Sequence, residues 1–396
     1  MAEAILGEYS QELFDEMWNI MERDYEFDYD SDEVVKRISD PEFFRPFAER
    51  LLAFYNEVTR CNFSVDEAQA DLLHRARRLE VSLNRNTIKS WFSGKREPKY
   101  GDEDRARLFA IAFALELDTA QTERLFHKVF LDRAFNKRSV REFVYLYCLS
   151  NNKPLYVAQA LISRVADAIE ISTNSDQTER TQYLADAASR NLDEDALVKF
   201  VSEHPHNFSL NNTAAKNLRQ KLIDNLTVGS AGRKGLAAQE FEMRRTELAD
   251  DKEMPGSYGR TLSSVDFLLY MIMGADFSRK GNEEILSVRS KLPRKEINNQ
   301  FPDKQSLSME NPSSYMLRKD IILLYFYDYW TRDYLSRQNI GDYDGFVDEL
   351  NDILYECGFS PLYIGNPYDW LFLYCCACAV GDYTPLDKFR SILAHD

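Results

Sequence analysis

Two segments near the carboxyl end of the chain are apolar on nearly every side. They read DIILLYFYDYW at 320–330 and WLFLYCCACAV at 370–380. Helices of this kind belong at the centre of a domain, because a helix at the surface needs a polar face. The run 370–380 is about half as long as the roughly 20 apolar residues that span a bilayer. The segments therefore predict a helical domain built around an aromatic core.

The composition extends this expectation to the whole chain. Its 396 residues include only 15 Gly and 12 Pro, beside 22 Tyr and 25 Phe. Few helix breakers and long periodic stretches favour an all-α fold, and the length suits two or three domains. The six cysteines do not suit a disulfide framework, and MAEAILGEYSQELF lacks the features of a signal peptide. A cytoplasmic protein without membrane association is expected, with its thiols reduced.

Changes in composition divide the sequence into four regions. Residues 1–60 are predicted to form acidic N-terminal helices, and residues 61–170 a compact helical domain. Residues 171–257 are polar and predict a linker region with short helices. Residues 258–396 are expected to form the larger, aromatic-rich C-terminal domain, with a role in dimerisation or sensing.

Charge is distributed unevenly along this chain of net charge -16. Residues 1–60 hold 16 Asp/Glu against 6 Lys/Arg, a difference of -10. Residues 71–107 hold 10 Lys/Arg against 6 Asp/Glu, a difference of +4. Nucleic-acid binding depends on a local excess of Lys and Arg rather than on the total charge. The change of sign points to the stretch NRNTIKSWFSGKREP at 84–98.

This stretch has the pattern of a recognition helix followed by a turn. In a helix-turn-helix, the first residues of the second helix reach base edges in the major groove. Arg and Lys pair with guanine and Asn with adenine, while basic residues behind the helix meet phosphates. Helical spacing directs three apolar side chains inward, namely Ile88, Trp91 and Phe92. The predicted DNA-binding residues are Arg85, Asn86, Thr87, Lys89, Ser90, Lys95, Arg96 and Lys99.

The segment NTIKSWFSGKREP resembles the recognition helix and following turn of helix-turn-helix proteins of the Cro/lambda-repressor type. The residues that match in order and spacing are Thr87-Ile88, Trp91, Gly94-Lys95-Arg96 and Pro98. The segment DEDRARLFAIAFALELD is similar to the fourth helix of that family. Upstream, Ala76 and Val81 match only if the turn is longer by two residues, Leu83 and Asn84. Arg75 and Phe92 also depart from the family pattern.

The resemblance implies a lambda-repressor-like unit at 64–118 that contacts double-stranded DNA through the helix at 85–93. The chain also resembles bacterial proteins that are labelled only by a helix-turn-helix domain, because it joins a short unit of that kind to the segment REFVYLYCL and a large aromatic C-terminal region. The first hypothesis is therefore a bacterial transcriptional regulator, with a homodimer or protein partner bound through the C-terminal or acidic N-terminal region. The second is a protein-interaction module of a mobile-element or phage-defence system that does not bind DNA. The total charge favours the second hypothesis, and the local basic cluster favours the first.

Signatures of enzymes and of cofactor sites are absent from the sequence. It contains no G-x-x-x-x-G-K-[ST], G-x-G-x-x-G or G-x-S-x-G motif. Asp28, Asp30 and Asp32 have calcium-like spacing without the Gly and Glu that complete an EF-hand loop. His204 and His206 lack further ligands at suitable spacing. No enzymatic activity, cofactor or metal is expected.

Two further features are assigned to the core. Cys375 and Cys378 have C-x-x-C spacing, but a redox pair lies at a helix N-terminus, where the thiol pKa is lowered. These cysteines lie more than two turns into a helix, which favours inert packing. The aromatic run YFYDYW at 325–330 could stack bases or bind an apolar ligand, but its helical spacing beside Ile and Leu favours the core.

Overall fold

The structure of this chain is a computed structural model. It describes residues 45–98, 102–132, 134–136, 139–171, 193–204, 208, 213–229, 234–249, 264–274, 301–302, 304–310, 312, 314–336, 343–377 and 384–393. Every regular element in these ranges is helical, so the all-α expectation is confirmed for the described chain. The predicted helix at the start of the chain, the Asp28–Asp32 turn, His206 and Cys378 lie outside the described residues.

Contacts divide the chain into two compact units, Arg45–Thr213 and Ala214–Asp396. The helices of the first unit are α1 Phe47–Thr59, α2 Val65–Arg78, α3 Arg85–Phe92, α4 Asp102–Ala114, α5 Thr119–Leu125, α6 Val140–Ser150, α7 Leu155–Ile171 and α8 Glu194–Glu203. A π-helical turn, Phe126–Phe130, continues α5.

The second unit is also helical throughout its described residues. Its helices are α9 Thr213–Thr227, α10 Leu236–Ala249, α11 Ser264–Met273, α12 Lys304–Ser308, α13 Ser314–Ser336, α14 Tyr343–Glu356, α15 Pro367–Ala377 and α16 Pro385–Leu393. Among the described residues, none of the helices has the length and apolar character that a bilayer crossing requires.

The core of the second unit is built on α13 and α15. Leu324, Phe326 and Trp370 are fully buried in one hydrophobic cluster, and the rings of Phe326 and Phe372 lie 5.1 Å apart. The prediction that both apolar segments are central to one core is therefore confirmed. The aromatic run at 325–330 belongs to the same cluster.

Capping signals fix the helix ends in this unit. Asn366 Oδ1 accepts a hydrogen bond of 2.9 Å from the backbone N–H of Tyr368, and Pro367 is the first helical residue of α15. Behind α14, Gly358 has a φ of +75°, the left-handed conformation that glycine adopts without strain. Asn and Gly are residue types that helix starts and helix ends, respectively, favour at these positions.

Two helices of the second unit, α9 and α10, come from the polar region 171–257. Leu222, Ile223 and Leu226 of α9 and Ala237 of α10 are buried in the second core. The apolar side chains of α9 lie mainly on one face, so the average composition of this helix remains polar.

The buried thiol of Cys375 supplies a direct test of this core. Its side chain is 0% exposed, whereas Cys61 is exposed. We expect Cys61 to react quickly with an alkylating reagent in the folded protein and Cys375 to react only after opening of the core. Mass spectrometry of the labelled peptides, with and without denaturant, measures both rates. Equal labelling of the two thiols in the native state would contradict the core assignment.

Candidate nucleic-acid interface

The predicted recognition helix, α3, lies on an aromatic core that it shares with α1. The ring of Trp91 lies 5.4 Å from that of Phe47, edge to face, and the ring of Phe92 lies 5.8 Å from that of Tyr55. Ile88, Trp91 and Phe92 are all buried, so the predicted inward face of the helix is confirmed. Such aromatic pairs hold α3 in one orientation.

A polar contact joins α1 to α2 beside this core. The hydroxyl of Tyr55 donates to Asp71 Oδ2 at 2.6 Å, and Arg75 Nε donates to the same oxygen at 2.7 Å. Burial opposes ionisation of Asp71, but these bonds and the Arg75 charge hold its pKa below the usual range. Arg75, which departs from the family pattern, is thus held by an ion pair rather than by packing.

The connection between α2 and α3 is longer than a standard helix-turn-helix turn. It covers residues 79–84, whereas turns in that motif have about 3–4 residues. Glu80 adopts a φ of +56°, and the N–H of Val81 donates to the carbonyl of Ala76 at 2.8 Å. This Schellman arrangement ends α2 and buries Val81. The longer turn agrees with the two extra residues that the family match requires.

Asn84 starts α3. Its side-chain oxygen accepts hydrogen bonds from the N–H groups of Asn86 and Thr87, each at 3.0 Å. Asn is a preferred N-cap because it satisfies such free donors. The match to the family pattern places Asn84 in the turn, although an Asn directly before a helical pattern is itself a capping signal.

The opposite side of α3 faces solvent. Arg85, Asn86 and Lys89 are exposed, as are Lys95 and Arg96 in the turn that follows. Thr87 and Ser90 are half-buried, and Lys99 lies outside the described residues. Within the described part of the chain, none of the four basic side chains forms an ion pair: Arg85, Lys89, Lys95 and Arg96.

The turn behind α3 folds back on the helix. Gly94 has a φ of +68°, and the N–H of Arg96 donates to the carbonyl of Ser90 at 3.2 Å. The Ser90 hydroxyl donates to the carbonyl of Thr87 at 2.9 Å, so it offers a ligand only an acceptor. The turn therefore holds Lys95 and Arg96 beside the end of α3, where the sequence placed them.

Acidic residues of α1 do not neutralise this basic face. Glu57 pairs with Arg124 and with Lys128, whose Nζ lies 3.6 Å from Glu57 Oε2. These partners belong to α5 and the π-helical turn. The described part of the acidic N-terminal region thus supports α3 from its apolar side.

The first turn of α3 carries charge of the wrong sign for helix stability. A helix N-terminus is partially positive and favours acidic residues, and the first turn of α2 holds Asp66 and Glu67. The first turn of α3 contains no acidic residue and begins with Arg85. Lys89 lies four residues further on the same face, where two like charges repel. An anion bound at this face would reduce both the unfavourable interaction with the helix N-terminus and the repulsion between Arg85 and Lys89.

Replacing Arg85 by Glu tests this electrostatic argument. The substitution supplies the favoured charge at the N-terminus of α3 and should raise the free energy of unfolding of the first unit by about 0.3–1 kcal/mol at low salt. Asp66→Lys in α2 should instead lower the free energy of unfolding of the first unit. Denaturant titrations at two salt concentrations measure both changes. A loss of stability in Arg85→Glu would show that Arg85 has a structural partner.

Comparisons with protein-family models, curated proteins and solved structures found no match for this chain. The resemblance to a helix-turn-helix therefore depends on the residue pattern of 64–118 alone. Among the described residues, no group of three or more His, Cys, Asp or Glu side chains is placed to hold a metal ion.

Proposed function

We propose that this protein is a transcriptional regulator of the bacterial cytoplasm that reads duplex DNA with α3. The observation that carries the proposal is the exposed basic face of α3, which has no ion-pair partner among the described residues and is held on a rigid aromatic core. Lys and Arg in this setting favour a polyanion, because binding releases the counterions of the phosphate backbone.

The exposed residues of this face divide by position. Arg85, Asn86 and Lys89 lie in the first turns of α3, the part of a recognition helix that reaches base edges. Lys95 and Arg96 lie behind the helix, where a phosphate backbone passes. The first group would read sequence, and the second would fix the position of the protein on DNA.

Single alanine substitutions distinguish these two roles. Lys89→Ala should cost about 1–3 kcal/mol on a preferred site and relax the preference at one base pair. Lys95→Ala should weaken all duplexes alike and lower the slope of log K against log salt by about one. Lys221→Ala, which changes an exposed lysine of α9 in the second unit, is the matched control. Fluorescence anisotropy over a salt series measures both effects.

Two outcomes would contradict this division. Equal binding by wild type and all three variants would show that α3 does not contact the duplex. An unchanged slope of log K against log salt in Lys95→Ala would show that Lys95 does not contact a phosphate. Helical circular dichroism of each variant controls for loss of the fold.

The second candidate function is a protein-interaction module that keeps the fold without contacting DNA. The net charge of -16 and the long connection at 79–84 favour it, because both depart from a standard DNA-binding unit. In that case an acidic protein surface would occupy the basic face of α3. This second function would be identified if the protein binds a protein partner and itself has no measurable affinity for any DNA duplex.

A further inference from the structure

Helix α14 carries a stripe of acidic side chains on its exposed side. The stripe consists of Asp344, Asp348, Asp352 and Glu356, all exposed and spaced four residues apart, which places them along one face. The helix contains no Lys or Arg. Within the described chain, none of the four forms an ion pair. Beside Glu356, the ring of Tyr355 is 64% exposed.

Of the four residues, only Asp344, in the first turn of α14, has a position that stabilises the helix of the single chain. Acidic residues at i and i+4 repel each other, and Glu356 lies at the partially negative C-terminal end of the helix. The opposite face holds α14 in place, because Phe346, Leu350 and Leu354 are fully buried in the core. A cationic surface bound to the stripe would relieve the repulsion, and Tyr355 would offer an aromatic face to a guanidinium.

The basic face of α3 has the complementary character. It presents Arg85 and Lys89 on the helix and Lys95 and Arg96 behind it, with no acidic residue in the first turn. At 1.5 Å per residue, α3 is about 12 Å long and the stripe from Asp344 to Glu356 about 18 Å. A row of negative charge and a basic face of opposite charge therefore lie on different units of one chain.

We infer that the acidic stripe of α14 is a docking surface for the basic α3 face of a second copy of this chain. Each copy offers both surfaces, so the contact is head to tail and can extend to further copies or close into a ring. This association does not depend on DNA binding. If the proposed function holds as well, duplex DNA and a second copy compete for the same face of α3.

Charge reversal with mixing tests this inference. One variant reverses the whole stripe, with Asp344→Lys, Asp348→Lys, Asp352→Lys and Glu356→Lys. The other reverses the whole basic face, with Arg85→Glu, Lys89→Glu, Lys95→Glu and Arg96→Glu. Each variant alone presents two surfaces of like charge, so neither should self-associate. An equimolar mixture restores opposite charges at both contacts, so the mixture should associate at least as strongly as wild type. Asp224→Lys, at an exposed position of α9, should behave as wild type.

Sedimentation velocity over a range of concentrations measures the association. At about 0.01 M salt, where screening reaches roughly 30 Å, wild type should sediment faster as its concentration rises. At about 1 M salt, where the Debye length is roughly 3 Å, it should sediment as a single chain. A wild type that stays single at low salt, or a mixture that stays unassociated, would overturn the inference. Duplex binding measured on the same samples tests the proposed function separately.

Discussion

Replacing Glu240 by Gln is expected to lower the free energy of unfolding of the second unit by about 3–5 kcal/mol. The Glu240 side chain is fully buried. It accepts hydrogen bonds from Arg244 Nε at 2.6 Å, from Arg390 Nη1 at 2.7 Å and from the Tyr327 hydroxyl at 2.6 Å. The amide would leave the half-buried guanidinium groups of Arg244 and Arg390 without the carboxylate that they share, although Arg244 keeps its ion pair with Asp387. Removal of one partner from a buried ion pair is costly for this reason.

The matched control is Glu242→Gln on the same helix. Glu242 is exposed and pairs with Lys234 at the surface, where an ion pair contributes about 0–1 kcal/mol. Denaturant unfolding followed by circular dichroism should separate the two variants. A loss below about 1 kcal/mol in Glu240→Gln would mean that solvent reaches the site, which would contradict the buried network.

The same carboxylate predicts the sign of a pH effect. Burial would raise the pKa of Glu240, but Arg390, Arg244 and the Tyr327 hydroxyl outweigh burial and lower it below its usual value. A lowered pKa in the folded state adds stability above the usual pKa of Glu, about 4.3. That contribution is lost as the pH falls through the folded-state value. The stability difference between wild type and Glu240→Gln should therefore shrink in acid.

Replacing Trp370 by Ala is expected to cost about 3–5 kcal/mol, as for a large aromatic side chain removed from a core. Trp370 is 0% exposed, and its ring stacks on Tyr374 at a centroid distance of 4.9 Å. Surrounding helices cannot close the resulting cavity without moving their own side chains. The large effect follows from packing and needs no ligand.

Tyr355→Ala serves as the control for this substitution, because the Tyr355 ring is 64% exposed on α14 of the same unit. Its expected cost is within about 0.5 kcal/mol, the usual range for surface changes. Thermal unfolding measures both variants. A similar, small loss for Trp370→Ala and Tyr355→Ala would place Trp370 at the surface and revive an aromatic binding site in this region.

Periodic features of the sequence predicted much of the local structure. The inward set of α3 follows from spacing alone, because the side chains of Ile88, Trp91 and Phe92 must share a face once the segment is helical. The ends of α14 and α15 follow from Gly358 and Asn366 for similarly local reasons. Segments apolar on all sides also have only one place in a folded chain, which is the core.

Long-range polar contacts could not be predicted in this way. Arg390 and Glu240 are 150 positions apart, and Arg318 pairs with Asp369 across 51 positions. Each of these residues resembles a surface charge in its own helix, and only the assembled core buries it. The boundary between the compact units, between Thr213 and Ala214, likewise depends on contacts made in three dimensions.

The candidate site could be predicted from the sequence only in part. Exposure of Arg85, Asn86 and Lys89 follows from helical spacing, but the absence of ion pairs to them within the described chain depends on every neighbouring element. Local sequence patterns also could not predict that α1 supports α3, because Phe47 and Trp91, whose rings are in contact, are 44 positions apart in the chain. DNA binding itself remains a proposal, since a fold does not determine what its exposed side chains bind.

The most direct test of the proposed function is a binding selection on random duplex DNA at moderate salt. Wild type, Lys89→Glu and the control Lys221→Glu would be selected in parallel. Both changed lysines are exposed, so all three proteins should stay folded. Recognition of DNA by α3 predicts one enriched motif with wild type and with Lys221→Glu, and the loss of that motif with Lys89→Glu. No enrichment with wild type, or the same motif with Lys89→Glu, would contradict it.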